Sequence, residues 1–450
     1  MSEPADSRLW QLSPGGGAAG EITVPGDKSI SHRALMLGGI ARGRTRISGF
    51  LAGEDCLATL RALRMLGVPI EQTSASDVVV EGVGGLAGLQ TCTRPLDMGN
   101  AGTAMRLFMG LLAGGGFDST LIGDASLMRR PMERVAAPLR QMGARIETRQ
   151  GRPPVTISRV DQLHGISLAM TVASAQVKSA LLLAGLHAAG TTRVIEPAVT
   201  RDHTERMLCA FGVDIEVSGL EASVAGGQQL TATEIAVPGD FSSAAFFIVA
   251  GLLGRAGPVL IRNVGLNPTR TGLLDILRAM GADIRVLDRR ELGGEPVADL
   301  EVFPSELQAI AVPERWVSLA IDEFPIFFIA AACAQGQSEL RGAEELRVKE
   351  SDRLAVMSEG LRALGVEHQL LPDGIRISGA GRANVAFNGG RVDSHGDHRI
   401  AMSFAVASLR AGGPIVVDDV ANVATSFPGF AALARQVGIK LEEGVPAHGG

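Results

Sequence analysis

The chain has 450 residues, 46% hydrophobic and 20% charged, with a net charge of −6 and no Tyr among its scarce aromatics. That length exceeds what one hydrophobic core organises and implies roughly two domains. The negative balance excludes a global positive field for nucleic acid, so an anionic ligand must be held by local basic clusters.

No run of about 18 uncharged apolar residues is available to span a membrane. The start, Met1-Ser-Glu-Pro-Ala-Asp6, lacks the basic-then-apolar pattern of a signal peptide, which makes the cytoplasm the default compartment. Four widely spaced cysteines, Cys56, Cys92, Cys209 and Cys333, read as reduced, mostly buried thiols rather than a zinc site or disulfide framework. Of 42 basic residues only four are Lys: Lys28, Lys178, Lys349 and Lys440. A Lys kept against that bias marks a place where a compact ammonium works and a planar guanidinium does not. The first three stand in dense polar clusters.

From the N-terminus, Ile22-Thr-Val24 runs into Pro25-Gly-Asp27, a sharp turn that predicts a helix beginning near residue 28. Lys28, Ser29 and Arg33 then surround a helix N-terminus, whose free N–H groups and dipole favour an anion. Gly26-Asp-Lys-Ser29 lacks the upstream Gly of a P-loop, which argues against a nucleotide kinase. Asp97-Met-Gly-Asn-Ala-Gly-Thr-Ala-Met-Arg106 reads either as a structural turn or as a loop whose Gly99 and Gly102 let backbone approach a ligand. Arg129-Arg130 is a basic turn. Ser174-Ala-Gln176 is either a plain N-cap or a clamp for a hydroxylated ligand, and Thr200-Arg-Asp-His-Thr204 again puts a hydroxyl and an Arg before a helix.

Ile235-Ala-Val-Pro-Gly-Asp240 repeats the first turn 213 residues later. Further on, Asp322 in Ile321-Asp-Glu-Phe-Pro325 sits beside apolar residues, where desolvation suits a carboxylate to acid–base work. The segment Lys349-Glu-Ser-Asp-Arg353 is expected to place Lys349 and Arg353 on one helix face with Glu350 alongside. Asp397-His-Arg399 offers a further cation. A surface salt-bridge network accounts for any one of these carboxylate–cation groups taken alone.

A longer period underlies the whole chain. Six amphipathic stretches end in a Gly followed by strand-like alternation, at Gly67, Gly143, Gly212, Gly281, Gly365 and Gly438, spaced 76, 69, 69, 84 and 73 residues apart. Each Gly stands where a helix needs a left-handed C-terminal residue. The pattern predicts an α/β protein of six repeats. The paired Pro-Gly-Asp turns divide these into three and three: residues 25–239 as an inserted domain, and 1–24 with 240–450 as a discontinuous one.

At Asp27-Lys-Ser-Ile-Ser-His-Arg33, Gly99-Asn-Ala-Gly-Thr103, Arg347-Val-Lys-Glu-Ser-Asp-Arg353 and Asp397-His-Arg-Ile-Ala-Met402 the chain resembles the 5-enolpyruvylshikimate-3-phosphate (EPSP) synthase family, in order from about residue 20 to about residue 430. The resemblance implies two similar domains of three βαβαββ-type units, an inside-out α/β barrel, with the active site in the cleft between them. It also implies transfer of the enolpyruvyl group of phosphoenolpyruvate to the 5-hydroxyl of 3-phosphoshikimate in the shikimate pathway, by a monomer with no metal, cofactor, membrane or nucleic acid. Carried across by motif, Lys28, Ser29, Arg33, Ser174, Gln176, Arg201, Asp322 and Lys349 meet 3-phosphoshikimate. Lys28, Gly102, Arg130, Gln176, Arg353 and Arg399 meet phosphoenolpyruvate. Asp322, Glu350 and Lys28 are the implied catalytic groups, and the inhibitor glyphosate is expected in the phosphoenolpyruvate pocket.

One departure stands out: many relatives have Lys two residues before the Phe-Pro matching Phe427-Pro428, and here Thr425 stands there. The sister family that acts on UDP-N-acetylglucosamine usually carries Cys in the loop matching Gly123–Arg129, and this loop has none. A non-catalytic binder of phosphorylated metabolites would need the cations but not Asp322 and Glu350.

Overall fold

The computed structural model describes residues 8–445. They form two compact units: an inserted unit of residues 26–238 with 291–295, and a discontinuous unit of residues up to 25, 239–290 and from 296 onward.

The inserted unit holds helices α1 (Lys28–Ile40), α2 (Glu54–Met65), α3 (Gly102–Leu112), α4 (Glu133–Gln141), α5 (Ala175–Gly185) and α6 (His203–Ala210). Its three four-stranded sheets share one plan, a parallel pair followed by two antiparallel pairings. The first runs Glu234–Ala236, Arg42–Ser48, Val78–Val83, Ile70–Gln72. Next come Leu96–Asp97, Ser119–Ile122, Arg152–Ser158, Arg145–Arg149, and then Ser167–Ala169, Thr191–Ile195, Glu221–Ala225, Ile215–Ser218. Helices α1, α3 and α5 are buried almost all round and supply much of one core, including Leu35, Leu37, Leu107, Phe108, Leu181 and Leu182. Helices α2 and α4 expose a polar face, as surface helices do.

The discontinuous unit repeats the arrangement with α7 (Phe241–Leu253), α8 (Gly272–Ala279), α9 (Glu314–Val317), α10 (Phe324–Cys333), α11 (Arg353–Ala363), α12 (His398–Ala407), α13 (Val423–Ser426) and α14 (Phe430–Gln436). Every residue of α7, α10 and α12 is buried, and these three helices pack on one another in a second core. Two sheets keep the parallel–antiparallel–antiparallel plan. In the third, Gln335–Leu340, Gly374–Ala380 and His368–Leu371 pair antiparallel, and the parallel edge shrinks to single bridges at Gln308–Gln335 and Ala311–Glu339. Helices inside and sheets outside are the α/β repeat fold that the resemblance implied.

All six repeat glycines are left-handed, with φ of 84° at Gly67, 94° at Gly143, 79° at Gly212, 92° at Gly281, 78° at Gly365 and 97° at Gly438. Three of these corners carry a second device. Arg64, Arg140 and Arg435, each three residues before its Gly, donate to the carbonyls of Ile70, Ile146 and Leu441 three residues after it, at 2.6, 2.7 and 2.8 Å. Each guanidinium thereby satisfies a strand carbonyl and fixes the angle between helix and strand.

The two Pro-Gly-Asp turns are paired through the backbone. Asp27 N donates to Pro238 O within the inserted unit, and Asp240 N to Pro25 O within the discontinuous one, both at 2.8 Å. Each Asp also caps the helix it opens, Asp27 accepting from Ile30 N and Asp240 from Ser242 N, each at 2.9 Å. Among the described residues no helix is long and apolar enough to cross a membrane, and no group of His, Cys, Asp and Glu is arranged to hold a metal. All four cysteines are free. Cys56 and Cys333 are buried, but Cys209 is exposed and Cys92 half-buried, so burial covers only two of the four.

Candidate active site

Five of the six central helices have a polar N-cap, Asp27, Ser174, Asp240, Glu323 or Asp397, and the helix dipole favours an anion at such an end. In the inserted unit, α1 opens with Lys28 and Ser29. Lys28 Nζ donates to Asp55 Oδ2 of α2 at 2.9 Å, with 17% of the side chain exposed. Arg33, one turn on, is buried: Nη1 donates to Ser29 O at 3.0 Å, Nη2 to Ser179 Oγ at 2.8 Å, and Nε to Thr204 Oγ1 at 2.7 Å. It therefore ties the start of α1 to α5 and α6. His32 between them is neutral at physiological pH. Burial, and then the charges of Lys28 and Arg33, lower its pKa to about 3.

Helix α3 begins at Gly102, and Thr103 and Arg106 face α5. Gln176 Nε2 donates to Thr103 Oγ1 at 2.9 Å and Gln176 Oε1 accepts from Arg106 Nη1 at 2.7 Å. In the basic turn, Arg130 is buried while Arg129 is exposed. Arg130 Nη2 donates to Asn100 Oδ1 at 2.6 Å, and Asn100 donates in turn to Asp124 at 2.7 Å. A methyl built on Gly102 would lie 2.9 Å from Arg130 Nη1 and 3.2 Å from Arg106 Nη1. The glycine thus lets two guanidinia approach the helix start more closely than a side chain would allow. Ser174 is the N-cap of α5, accepting from Val177 N at 3.5 Å, and Arg201 lies half-buried just before α6.

In the discontinuous unit the cluster is denser. Arg353 is 1% exposed, and its Nε donates to Asp397 Oδ2 at 2.8 Å, Nη1 to Asp322 Oδ1 at 3.3 Å and Nη2 to Glu350 Oε2 at 2.5 Å. Burial opposes its charge, but the carboxylates of Asp397, Glu350 and Asp322 outweigh that and hold its pKa above the usual arginine value. Lys349 Nζ is 3.5 Å from Asp322 Oδ1 and 3.9 Å from Glu345. Arg399 Nη1 donates to the Asp322 carbonyl at 3.0 Å and lies 3.5 Å from Glu323, which accepts from Ser242 at the start of α7. Asp397 caps α12 through Arg399 N at 3.0 Å, so one carboxylate orients both arginines. Lys349, Arg353 and Arg399 thus stand among five carboxylates: Asp322, Glu323, Glu345, Glu350 and Asp397.

Two sequence expectations need correction here. Lys349 and Arg353 do not share a helix face. Asp352 caps Ala355 N at 3.0 Å and starts α11 at Arg353, while Lys349 lies before that helix, directly after the short turn Glu344–Val348. Both still reach Asp322. Around Asp322 itself, Phe324 belongs to the hydrophobic core and Ile321 packs against it, while the carboxylate meets Lys349 and Arg353. Sequence reasoning also passed over Asp55, Glu323 and Ser242, whose partners are far away in the chain, and gave no role to Arg106, although it closes the Asp97–Arg106 motif one helical turn after Gly102.

Residues 12–433 match the family described as EPSP synthase (3-phosphoshikimate 1-carboxyvinyltransferase). The 3-phosphoshikimate 1-carboxyvinyltransferase of Alkalilimnicola ehrlichii is 57% identical over 436 residues, covering 97% of each chain. That of Methylococcus capsulatus is 57% identical over 435 residues, covering 96% of this chain and 98% of its own. Among solved structures, an EPSP synthase from Acinetobacter baumannii superposes with a TM-score of 0.87 at 51% identity, covering 97% of this chain and all of its own. The enolpyruvyl transferase NikO from Streptomyces tendae shares the fold at 16% identity, with a TM-score of 0.78 over 98% of this chain.

Proposed function

The chain belongs to the EPSP synthase family, which makes it a transferase of the enolpyruvyl group from phosphoenolpyruvate to 3-phosphoshikimate, and we propose the following roles in this transfer for the residues of the two polar clusters. The observation that carries the residue assignments is the grouping of Asp322 and Glu350 on one buried guanidinium, with Lys349 and Arg399 beside them. A binder of phosphorylated metabolites needs the cations but no pair of proton-exchanging carboxylates among them. A proton-transfer site needs them.

The reaction adds an alcohol across the double bond of an enol phosphate and then expels phosphate. In the addition, Asp322 accepts the proton of the 5-hydroxyl as the oxygen attacks C2 of phosphoenolpyruvate, and Glu350 delivers a proton to the methylene carbon. Elimination then removes a proton from the new methyl group and restores the double bond as phosphate leaves. Arg353 touches both carboxylates and moderates the charge each gains or loses, and with Arg399 and Arg130 it holds the carboxylate and phosphate of phosphoenolpyruvate. Lys28, a mobile point charge, follows negative charge from substrate to intermediate. Ser29, Arg33, Ser174, Gln176, Arg201 and Lys349 hold 3-phosphoshikimate. Gly102 and Gln176 border phosphoenolpyruvate.

Thr425 donates to Asn422 O at 2.6 Å and leaves phosphate recognition to the arginines. The same reading has the chain acting as a cytoplasmic monomer on two small molecules. Phosphate release measured with both substrates, and with each omitted, tests it: release must require both.

A further inference from the structure

Resting on the assignment of Ser174, Gln176 and Arg201 to 3-phosphoshikimate, we propose that Lys178 is a positioning residue for that subsite, locking the segment that carries Arg201 onto the helix that carries Ser174 and Gln176. Lys178 lies one turn into α5, its N–H donating to Ser174 O at 3.1 Å. Its side chain is 3% exposed, so the ammonium cannot itself meet a substrate. It points instead at two carboxylates: Nζ lies 2.7 Å from Glu196 Oε2, just past the strand Thr191–Ile195, and 2.7 Å from Glu205 Oε1 in the first turn of α6. The other oxygen of Glu196 accepts from the hydroxyl of Thr200.

Arg201 follows Thr200 directly and precedes Glu205 by four residues. Its segment is therefore tied to α5 on both sides through one ammonium. Burial works against that charge, but Glu205 and Glu196 outweigh it and hold the lysine pKa above its ordinary value. The next residue extends the clamp. Ser179 Oγ accepts from Thr204 Oγ1 at 2.7 Å and from Arg33 Nη2 at 2.8 Å, and Arg33 also holds Ser29 O. Three helix starts assigned to 3-phosphoshikimate thus share one buried polar seam.

Stability alone does not call for such a seam, since apolar side chains fill buried space at least as well as ion pairs. Fixed geometry does, because a phosphate and a ring hydroxyl must be held in register with the reacting atoms. The site also accounts for a lysine in an arginine-rich chain: a compact ammonium reaches two carboxylates at 2.7 Å in a closed space where a planar guanidinium would overpack.

The experiment compares wild type, Thr200→Val and Lys178→Met by KM for each substrate, kcat and melting temperature. Thr200→Val keeps the side-chain shape and cuts one tie. It should raise the KM for 3-phosphoshikimate about 5–10-fold, with kcat and the phosphoenolpyruvate KM within about twofold of wild type. Lys178→Met should raise the same KM by about 30-fold or more where it folds; where it does not, Thr200→Val decides. A folded Thr200→Val with unchanged constants, or with a lower melting temperature alone, overturns the positioning role, as does an equal rise in both KM values. Wild type that releases no phosphate from the two substrates overturns the transferase reading itself, and this inference with it.

Discussion

Gly102→Ala tests the phosphoenolpyruvate pocket with a single carbon atom. Gly102 opens α3 with φ outside the left-handed range, so the backbone accepts Ala, and a helix gains up to about 1 kcal/mol from that exchange. The obstacle lies ahead of the Cβ: Arg130 Nη1 at 2.9 Å, Arg106 Nη1 at 3.2 Å and Leu127 Cδ1 at 3.6 Å. Arg130 must yield by about half an ångström, yet Asn100 holds its Nη2 at 2.6 Å and the side chain is buried. Overpacking of this kind costs about 1–2 kcal/mol. Because the displaced atom is a proposed ligand group, the shift should also weaken binding. The expected result is a phosphoenolpyruvate KM raised about 5–30-fold, an unchanged 3-phosphoshikimate KM, and a melting temperature at or slightly below wild type, the helix gain offsetting part of the clash. Wild type should be at least partly sensitive to glyphosate. That inhibitor is longer than phosphoenolpyruvate and meets the new methyl more severely, so its inhibition constant should rise by a larger factor than the KM. Steady-state constants for both proteins decide the matter: equal factors, or an unmoved inhibition constant, would refute the steric argument.

Lys28→Arg keeps the charge and a partner in Asp55, yet should lower kcat at least about tenfold, or about 1.4 kcal/mol, because a planar group cannot follow shifting charge as an ammonium does; near-normal turnover would remove the case for that lysine. Asp322→Asn should nearly abolish phosphate release while calorimetry still detects 3-phosphoshikimate binding, and wild-type turnover would show that another group takes the proton. The acid limb of stability can be followed through His32. Its folded pKa of about 3 lies below the unfolded value near 6.5, so the unfolded chain binds the proton and stability is lost as pH falls from about 6.5 toward 3. At pH 5 the loss from this group is about 2 kcal/mol. Urea unfolding of His32→Asn should therefore show a drop between pH 7 and pH 5 smaller by about that amount; equal drops in both proteins would contradict a neutral buried imidazole.

The six-fold period was legible because each corner is made by local backbone chemistry. A left-handed residue ends a helix, so Gly recurs at 67, 143, 212, 281, 365 and 438 whatever the rest of the chain does. Motif clusters were legible as helix starts for the same reason. What sequence could not supply was the partner of each charge. Arg33 finds Thr204 171 residues away, and Lys28 finds Asp55 27 residues away. Only the folded packing of α1 against α2 and α6 brings those groups together. The helix face expected for Lys349 and Arg353 failed on a local detail, the Asp352 cap, because periodicity says which residues align in a helix but not where the helix begins. Asp322 looked apolar from its neighbours in sequence, while its neighbours in space are cations.

The paired Pro-Gly-Asp turns have a consequence for the gene. Asp27 is bonded to Pro238, and Pro25 to Asp240, each at 2.8 Å, so the entrance and exit of residues 26–238 are adjacent in the backbone. The DNA encoding that stretch is a cassette: removing it leaves ends at Pro25 and Gly239 that a short linker can rejoin, and the excised piece has ends that another can close into a ring. New termini opened at an outer turn of such a ring give circular permutants with every helix start kept intact. The five residues 291–295 are the exception. They reach the inserted unit from the other stretch of chain, and His203, bonded to Glu295 at 2.8 Å, would lose its partner in any such rearrangement.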